Sequence, residues 1–175
     1  MAIDFAALEK TIAEKFGADV LGFSNFRGQF TVRVKHTANL ALLRFLRDDP
    51  ATAFDMLTDV TVVDSLKLPD DMLVEFPERF NVVYHLTSLA HESRIRVKAA
   101  VPEEPAEIDS VVSLWAAAAW GEREAHDMYG VVFRGNPDLR RMLMPENFEG
   151  FPLRKDYPLK GRGERDNFPK WQEVK

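Results

Sequence analysis

The sequence predicts an α+β domain. A mixed sheet of about five strands is layered on helices in the order helix–strand–strand–helix–strand–strand–strand, followed by a C-terminal helix and an irregular extended arm. Three observations carry this. Phe80, Val82, Tyr84 and Leu86 alternate with polar residues, and after a short polar break Ile95, Val97, Ala99 and Val101 alternate again. Period two on both sides of a break is an antiparallel hairpin with one buried face. Upstream, apolar residues recur at helical spacing in two places. Beyond Pro145 the apolar period disappears.

The elements follow in order. Asp4 is placed to cap a helix whose Phe5, Leu8, Ile12 and Phe16 share a face, and Gly17 stops it. Two β-like runs, Asp19–Ser24 and Gln29–Lys35, flank a turn at Asn25-Phe26-Arg27-Gly28. Thr37 is placed to cap a second helix carrying Leu40, Leu43 and Leu46, closed by Pro50. Phe54–Leu66 is rich in β-branched residues and reads as a strand. The Arg79–Val101 hairpin breaks at Leu89–Ser93. Pro102–Ser110 reads as a loop, and Ser110 is placed to cap a helix containing Val111, Val112, Leu114 and Trp115. In "WGEREAHDMYG", Trp120–Gly130, Gly121, Ala125, Met128 and Tyr129 fall on one helical face. Glu122, Arg123, His126 and Asp127 lie on the others, and Gly130 ends the helix. We therefore expect a scaffold domain over residues 1–144 and an arm over 145–175. The arm's Phe148, Phe151, Tyr157, Phe168 and Trp171 suit it to lie along a partner.

Composition narrows function. The 175 residues carry a formal net charge of −5, which argues against a general nucleic-acid binder. Apolar residues make up 46%, enough for a core. With no cysteine, thiolate-held iron–sulfur clusters, Cys-based zinc sites, disulfides and a Cys nucleophile are excluded. The absence also fits a reducing compartment. No apolar run reaches the ~20 residues that span a bilayer, and the N-terminus lacks a signal-peptide pattern. An intracellular, soluble chain is expected.

Candidate chemistry is sparse. Glu122 and His126 are one turn apart, which would suit acid–base work in a cleft. The competing reading is surface pairing of Glu122 with His126 and of Arg123 with Asp127. His36, His85, His91 and His126 show no metal-ligand spacing. "FRGNPDLRRML", Phe133–Leu143, lacks a phosphate-loop pattern and reads as a turn plus a short helix, with Asp138 near its start. "PLRKDYPL", Pro152–Leu159, presents Arg154, Lys155 and Asp156 on a near-extended backbone suited to ion pairing with a partner.

"EREAHDMYGVVFRGNPDLRRML" followed by "EGFPLRKDYPL" closely resembles the C-type subunit, the thirty-kilodalton-type subunit, of respiratory complex I, the proton-pumping NADH:quinone oxidoreductase. Glu122, Arg123, Glu124, Asp127, Met128, Tyr129, Arg140, Met142 and Leu143 occupy the family's signature positions. "RFNVVYHLTSL" matches the strand before the hairpin. About half of the chain is covered. There is one departure: Asn136 stands where the family usually has His, sometimes Lys. A role needing a titratable group there does not carry over, whereas a turn before Pro137 does.

The resemblance implies a non-catalytic scaffold in the hydrophilic arm, with no cofactor of its own. Flavin, iron–sulfur clusters and quinone would be held by other subunits, the quinone mainly by the B-type and D-type subunits. The implied partners are the D-type subunit and the neighbouring iron–sulfur subunits of B type and I type, not nucleic acid. Its place would be peripheral, at the cytoplasmic face of a bacterial inner membrane, touching that membrane only through the assembly. The residues assigned to the structural and interfacial motif are Trp120, Glu122, Arg123, Glu124, Asp127, Tyr129, Asp138, Arg140, Arg141, Arg154, Lys155, Asp156 and Tyr157. The equivalent subunit of a membrane-bound hydrogenase or of a ferredoxin-accepting dehydrogenase is the alternative.

Overall fold

A computed structural model describes residues 3–69 and 76–163. Helix α1, Phe5–Phe16, starts at Asp4, whose carboxylate accepts the N–H groups of Ala6 and Ala7. Strands β1, Val20–Phe26, and β2, Gln29–Lys35, form a hairpin. Its turn is only Arg27-Gly28, both at positive φ (53° and 77°), which matches the twist of the flanking strands. Strand β1 therefore runs later than the expected Asp19–Ser24, and Asp19 ends a short 3-10 turn. Helix α2, Asn39–Asp48, follows a 3-10 turn over His36–Ala38. Ala38 occupies the cap position and no side chain caps it, so the expected Thr37 cap is not formed.

Strands β3, Met56–Asp64, β4, Phe80–Ser88, and β5, Ser93–Val101, complete the main sheet. Its order is β1-β2-β5-β4-β3. β2 and β5 are parallel and the other pairs antiparallel, so the sheet is mixed as expected. Inward-pointing Val32, Val34, Val82, Tyr84, Val97 and Ala99 are fully buried, as are Ile12 of α1 and Leu42, Leu43 and Leu46 of α2. Each large apolar side chain contributes roughly 1.5–3 kcal/mol by burial, which sets the layer of helices on the sheet. The Phe5 and Phe30 rings stack at 4.8 Å, seating the start of α1 on β2.

The C-terminal third departs from the expected elements. The loop expected over Pro102–Ser110 holds a strand, β6, Glu107–Asp109. It pairs in parallel with β7, Val132–Arg134. No helix begins at Ser110. Residues 111–117 are mostly turns, and α3 runs Ala118–Tyr129. Glu122 of α3 holds this segment. Glu122 accepts the Val111 N–H at 2.7 Å, and the Ser110 hydroxyl donates to the same carboxylate. Gly130 closes α3 in the left-handed conformation, φ 75°. The short helix expected near Asp138 is likewise absent, and 135–144 is irregular. Residues 152–159 are a series of turns, not near-extended. Of the arm's aromatic anchors, Phe168 and Trp171 lie outside the described residues.

Candidate functional site

Helix α3 makes polar contacts with described segments on both sides of it, from Ser110 to Arg154. The sequence places polar residues on its outer faces, and the structure corrects this for Glu122, while Arg123 and Asp127, which the resemblance implies to be in buried or half-buried ion pairs, pair with Asp138 and Arg141. Glu122 and Asp127 have 0% exposure, buried like Ala125 and Met128. The i,i+4 pairings Glu122–His126 and Arg123–Asp127 do not form. Each of these groups instead meets chain outside α3.

Glu122 faces the turn before α3. It accepts from Ser110 Oγ (2.7 Å), the Val111 N–H (2.7 Å) and Asn136 Nδ2 (2.8 Å). Asn136 Oδ1 accepts the Asp138 N–H, so this residue fulfils the turn role expected of it. Burial pushes the Glu122 carboxyl above its ordinary value of 4.5, although Ser110, Val111 and Asn136 pull the other way. A carboxyl raised by folding contributes stability that is complete at pH below 4.5 and lost as pH rises through the folded value. Relative to Glu122→Gln, the wild type is expected to lose unfolding free energy between acidic and neutral pH. Urea unfolding at several pH values checks this, and a pH-independent difference contradicts it.

Arg123 and Asp127 share one stripe of α3, and both face the loop 138–150. Arg123 donates to the carbonyls of Arg140 (2.6 Å) and Arg141 (2.7 Å) and to Asp138 Oδ2 (3.1 Å). Asp127 Oδ2 accepts three successive N–H groups, of Met142, Leu143 and Met144, at 2.8–3.0 Å. Its Oδ1 accepts from Arg141 at 2.8 Å. Arg141 also donates to the carbonyls of Asp127, Phe148 and Gly150. An irregular loop has few backbone partners of its own, so the guanidinium groups take its carbonyls and the carboxylate takes its N–H groups. Burial raises the Asp127 carboxyl, but Arg141 and the three N–H groups outweigh it and hold the group below its ordinary value. Arg140 and Asp138 pair at 2.9 Å on the surface. Glu124 is exposed, and Trp120 is 66% exposed with the Arg123 guanidinium 5.8 Å from its ring. Tyr129 is half-buried. His126 donates from Nδ1 to the Val131 carbonyl.

A second cluster fastens "PLRKDYPL" to the sheet. Asp64 has a fully buried side chain and pairs with Arg79 at 3.1 Å. Arg79 also pairs with Asp156 at 2.9 Å and with Glu103. The Lys155 N–H donates to Asp64 at 2.8 Å. Arg154 donates to the Tyr129 carbonyl and lies over the Phe80 and Phe151 rings, at 5.1 and 4.6 Å. Burial lowers its pKa, and the Arg79 charge adds to the effect. A Cβ on Gly130 would meet Phe151 at 2.5 Å and Arg154 at 2.7 Å, so glycine is needed there for space as well as for φ. The rings of Phe148 and Tyr157 sit 6.1 Å apart, and Gly150 borders Tyr157. Asp64, Arg79, Glu103 and Ser110 are participants that sequence reasoning missed. Asp64 had a signal: it follows Val60 and Val62 at the same parity, a charge where the strand points inward.

Among the described residues no group of three or more His, Asp or Glu converges as a metal site. No helix among them is long and apolar enough to cross a membrane. Glu122, Arg123 and Asp127 of α3 are spent on the chain itself. Such an arrangement defines an α+β module whose polar motif holds backbone in place.

Known proteins give that module a family. Residues 32–163 match the family model described as respiratory-chain NADH dehydrogenase, 30 Kd subunit. The C-type subunit of NADH-quinone oxidoreductase from Geobacter metallireducens is 47% identical over 152 residues, covering 87% of this chain and 88% of that protein. The same subunit from Sinorhizobium medicae is 47% identical over 155 residues, covering 88% and 72%. A solved trypsin-resistant fragment (1-134) of Nqo5 superposes with a TM-score of 0.64 at 33% identity, covering 75% of this chain and 98% of the fragment. A chain of the membrane-bound sulfane sulfur reductase, an archaeal respiratory membrane complex, shares the fold with a TM-score of 0.71 at 23% identity, covering 98% of this chain and 96% of that one. The chain belongs to the thirty-kilodalton subunit family of respiratory NADH dehydrogenase, as the resemblance implied.

Proposed function

We propose that this chain is a non-catalytic scaffold of the hydrophilic arm of a proton-translocating NADH:quinone oxidoreductase. It supports electron transfer from NADH to quinone by assembling with the D-type subunit and the iron–sulfur subunits of B type and I type. Flavin, clusters and quinone are held by those neighbours and others, and the isolated chain has no turnover. The assembly sits at the cytoplasmic face of a bacterial inner membrane, and this chain meets the membrane only through it. The observation that carries the reading is the use made of α3. Glu122, Arg123 and Asp127 each have their hydrogen-bonding capacity directed at backbone or side chains of this chain. An acid–base catalyst needs a group free to exchange a proton with substrate. What α3 builds instead is a fixed loop that displays Arg140 and Leu143 alongside Trp120 of the helix itself, with exposures of 66% and 54% for Trp120 and Leu143. Exposed Trp and Arg suit an interface centre.

Arg123→Ala removes donors to two loop carbonyls and a partner of Asp138. The loop then loses its display geometry, and the variant is expected to enter the assembly less than the wild type. Quantifying the incorporated chain against NADH:quinone turnover tests this. Full incorporation with slow turnover contradicts the scaffold role for this motif.

A further inference from the structure

The main sheet has two edges, and they are finished differently. Edge strand β3 carries Asp59, has a bulge between Leu57 and Asp59, and has α3 lying across it, with Gly121 close to Val60 and its carbonyl. These are the devices by which proteins close an edge to further pairing. Edge strand β1, VLGFSNF, has no charged residue and no proline. Its one irregularity lies at its start, between Val20 and Gly22, and from Gly22 to Phe26 the register with β2 is regular. Among the described residues β1 pairs with β2 and with no other strand.

The turn geometry says which backbone groups face outward. Phe26 and Gln29 close a two-residue turn, so that pair is hydrogen-bonded, and the bonds of Ser24 also point at β2. The N–H and C=O groups of Phe23 and Asn25 therefore point away from the sheet. Beside them Phe26 is 68% exposed. The hairpin Val20–Lys35 bears Arg27, Arg33 and Lys35 and no acid, in a chain of net charge −5. Lys35 pairs with Asp19, and the Arg33 guanidinium lies over Gly22, where a Cβ would meet it at 2.6 Å.

We infer that the β1 edge is a strand-addition site that takes an extended, acidic segment of a neighbouring subunit. The inference rests on the scaffold reading above. Main-chain bonds to Phe23 and Asn25 supply the pairing, an apolar side chain of the added strand covers Phe26, and its acids face Arg27. A second copy of this chain fits worse. An antiparallel self-pair centred on Ser24 would set Arg27 of each copy opposite Leu21 of the other, on a strand that offers it no acid.

Hydrogen exchange of the isolated chain and of the same chain in its purified assembly tests this. Assembly is expected to slow exchange of the Phe23 and Asn25 amides by about tenfold or more. The substitution Asn25→Pro removes an outward donor and leaves the β1–β2 bonds intact. It is expected to keep the exchange pattern of the rest of the isolated chain and to lower incorporation, while Asn25→Thr incorporates like the wild type. Equal β1 exchange in the free and assembled chain, or normal incorporation of Asn25→Pro, overturns the strand addition. Protection that grows with concentration of the isolated chain overturns it in favour of self-pairing. A wild-type chain that joins no assembly overturns the scaffold reading and this one together. A chain that assembles with β1 unprotected overturns this one alone.

Discussion

Asp127→Ala is expected to lower the free energy of unfolding by about 3–5 kcal/mol, the cost of leaving a buried ion pair with one member. Its carboxylate, with 0% exposure, answers Arg141 and the N–H groups of Met142, Leu143 and Met144 at once. Removing it leaves a mostly covered guanidinium and three donors without their acceptor, and each buried orphan costs about 1–3 kcal/mol where water cannot enter. The dependence on pH has a definite sign. The folded state holds this carboxyl below its ordinary 3.8. Its contribution is therefore complete above pH 3.8 and lost as the pH falls through the lower folded value. Denaturant unfolding at neutral pH should show the full difference between wild type and variant, and unfolding in strong acid should show it shrinking. A neutral-pH difference below about 1 kcal/mol, the range of exposed pairs, contradicts the buried-clamp account.

Arg79→Ala is the other large effect, also about 3–5 kcal/mol. Arg79 joins Asp64 on the sheet to Asp156 on the segment 152–159, and its side chain is 7% exposed. Without it the fully buried Asp64 keeps, among the described residues, only the N–H groups of Leu66 and Lys155. The segment 152–159 then loses an anchor, and trypsin should cut at Arg154 and Lys155 faster than in the wild type. Arg79→Lys is expected to recover part of the stability, because one ammonium cannot reach three carboxylates as the planar guanidinium does. Chemical denaturation and timed proteolysis together check this, and wild-type stability with wild-type cleavage rates contradicts it.

The main sheet was legible because its signal is local. Alternation at Phe80–Leu86 and Ile95–Val101 maps directly onto β4 and β5, whose inward residues are buried. Strands β6 and β7 have three residues each, too few for a period to register. The helix expected after Ser110 had the right spacing at Val111, Leu114 and Trp115. Only its first turn forms, with the Trp115 N–H on the Val111 carbonyl, while Glu122 takes the Val111 N–H that no helix would pair. The motif residues were legible as a group, and the resemblance led us to expect buried or half-buried ion pairs for Arg123 and Asp127, but the burial of Glu122 was not legible. Charged residues on a helix read as surface, and only their distant partners, Ser110, Asn136 and Arg141, bring Glu122 and Asp127 inside. Asp64 and Arg79 are far apart in sequence from the Asp156 and Lys155 they hold. Neither propensity nor spacing encodes that meeting.

The measurement that tests the central claim most directly is affinity isolation of the N-terminally tagged chain from gently solubilised native membranes. Partners would be identified by mass spectrometry, and NADH:quinone activity assayed on the eluate. The scaffold account predicts co-purification with an NADH-oxidising, iron–sulfur assembly that contains the D-type, B-type and I-type subunits. A chain recovered alone and monomeric contradicts it, and would return Glu122, His126 and Asp127 to consideration as a catalytic group.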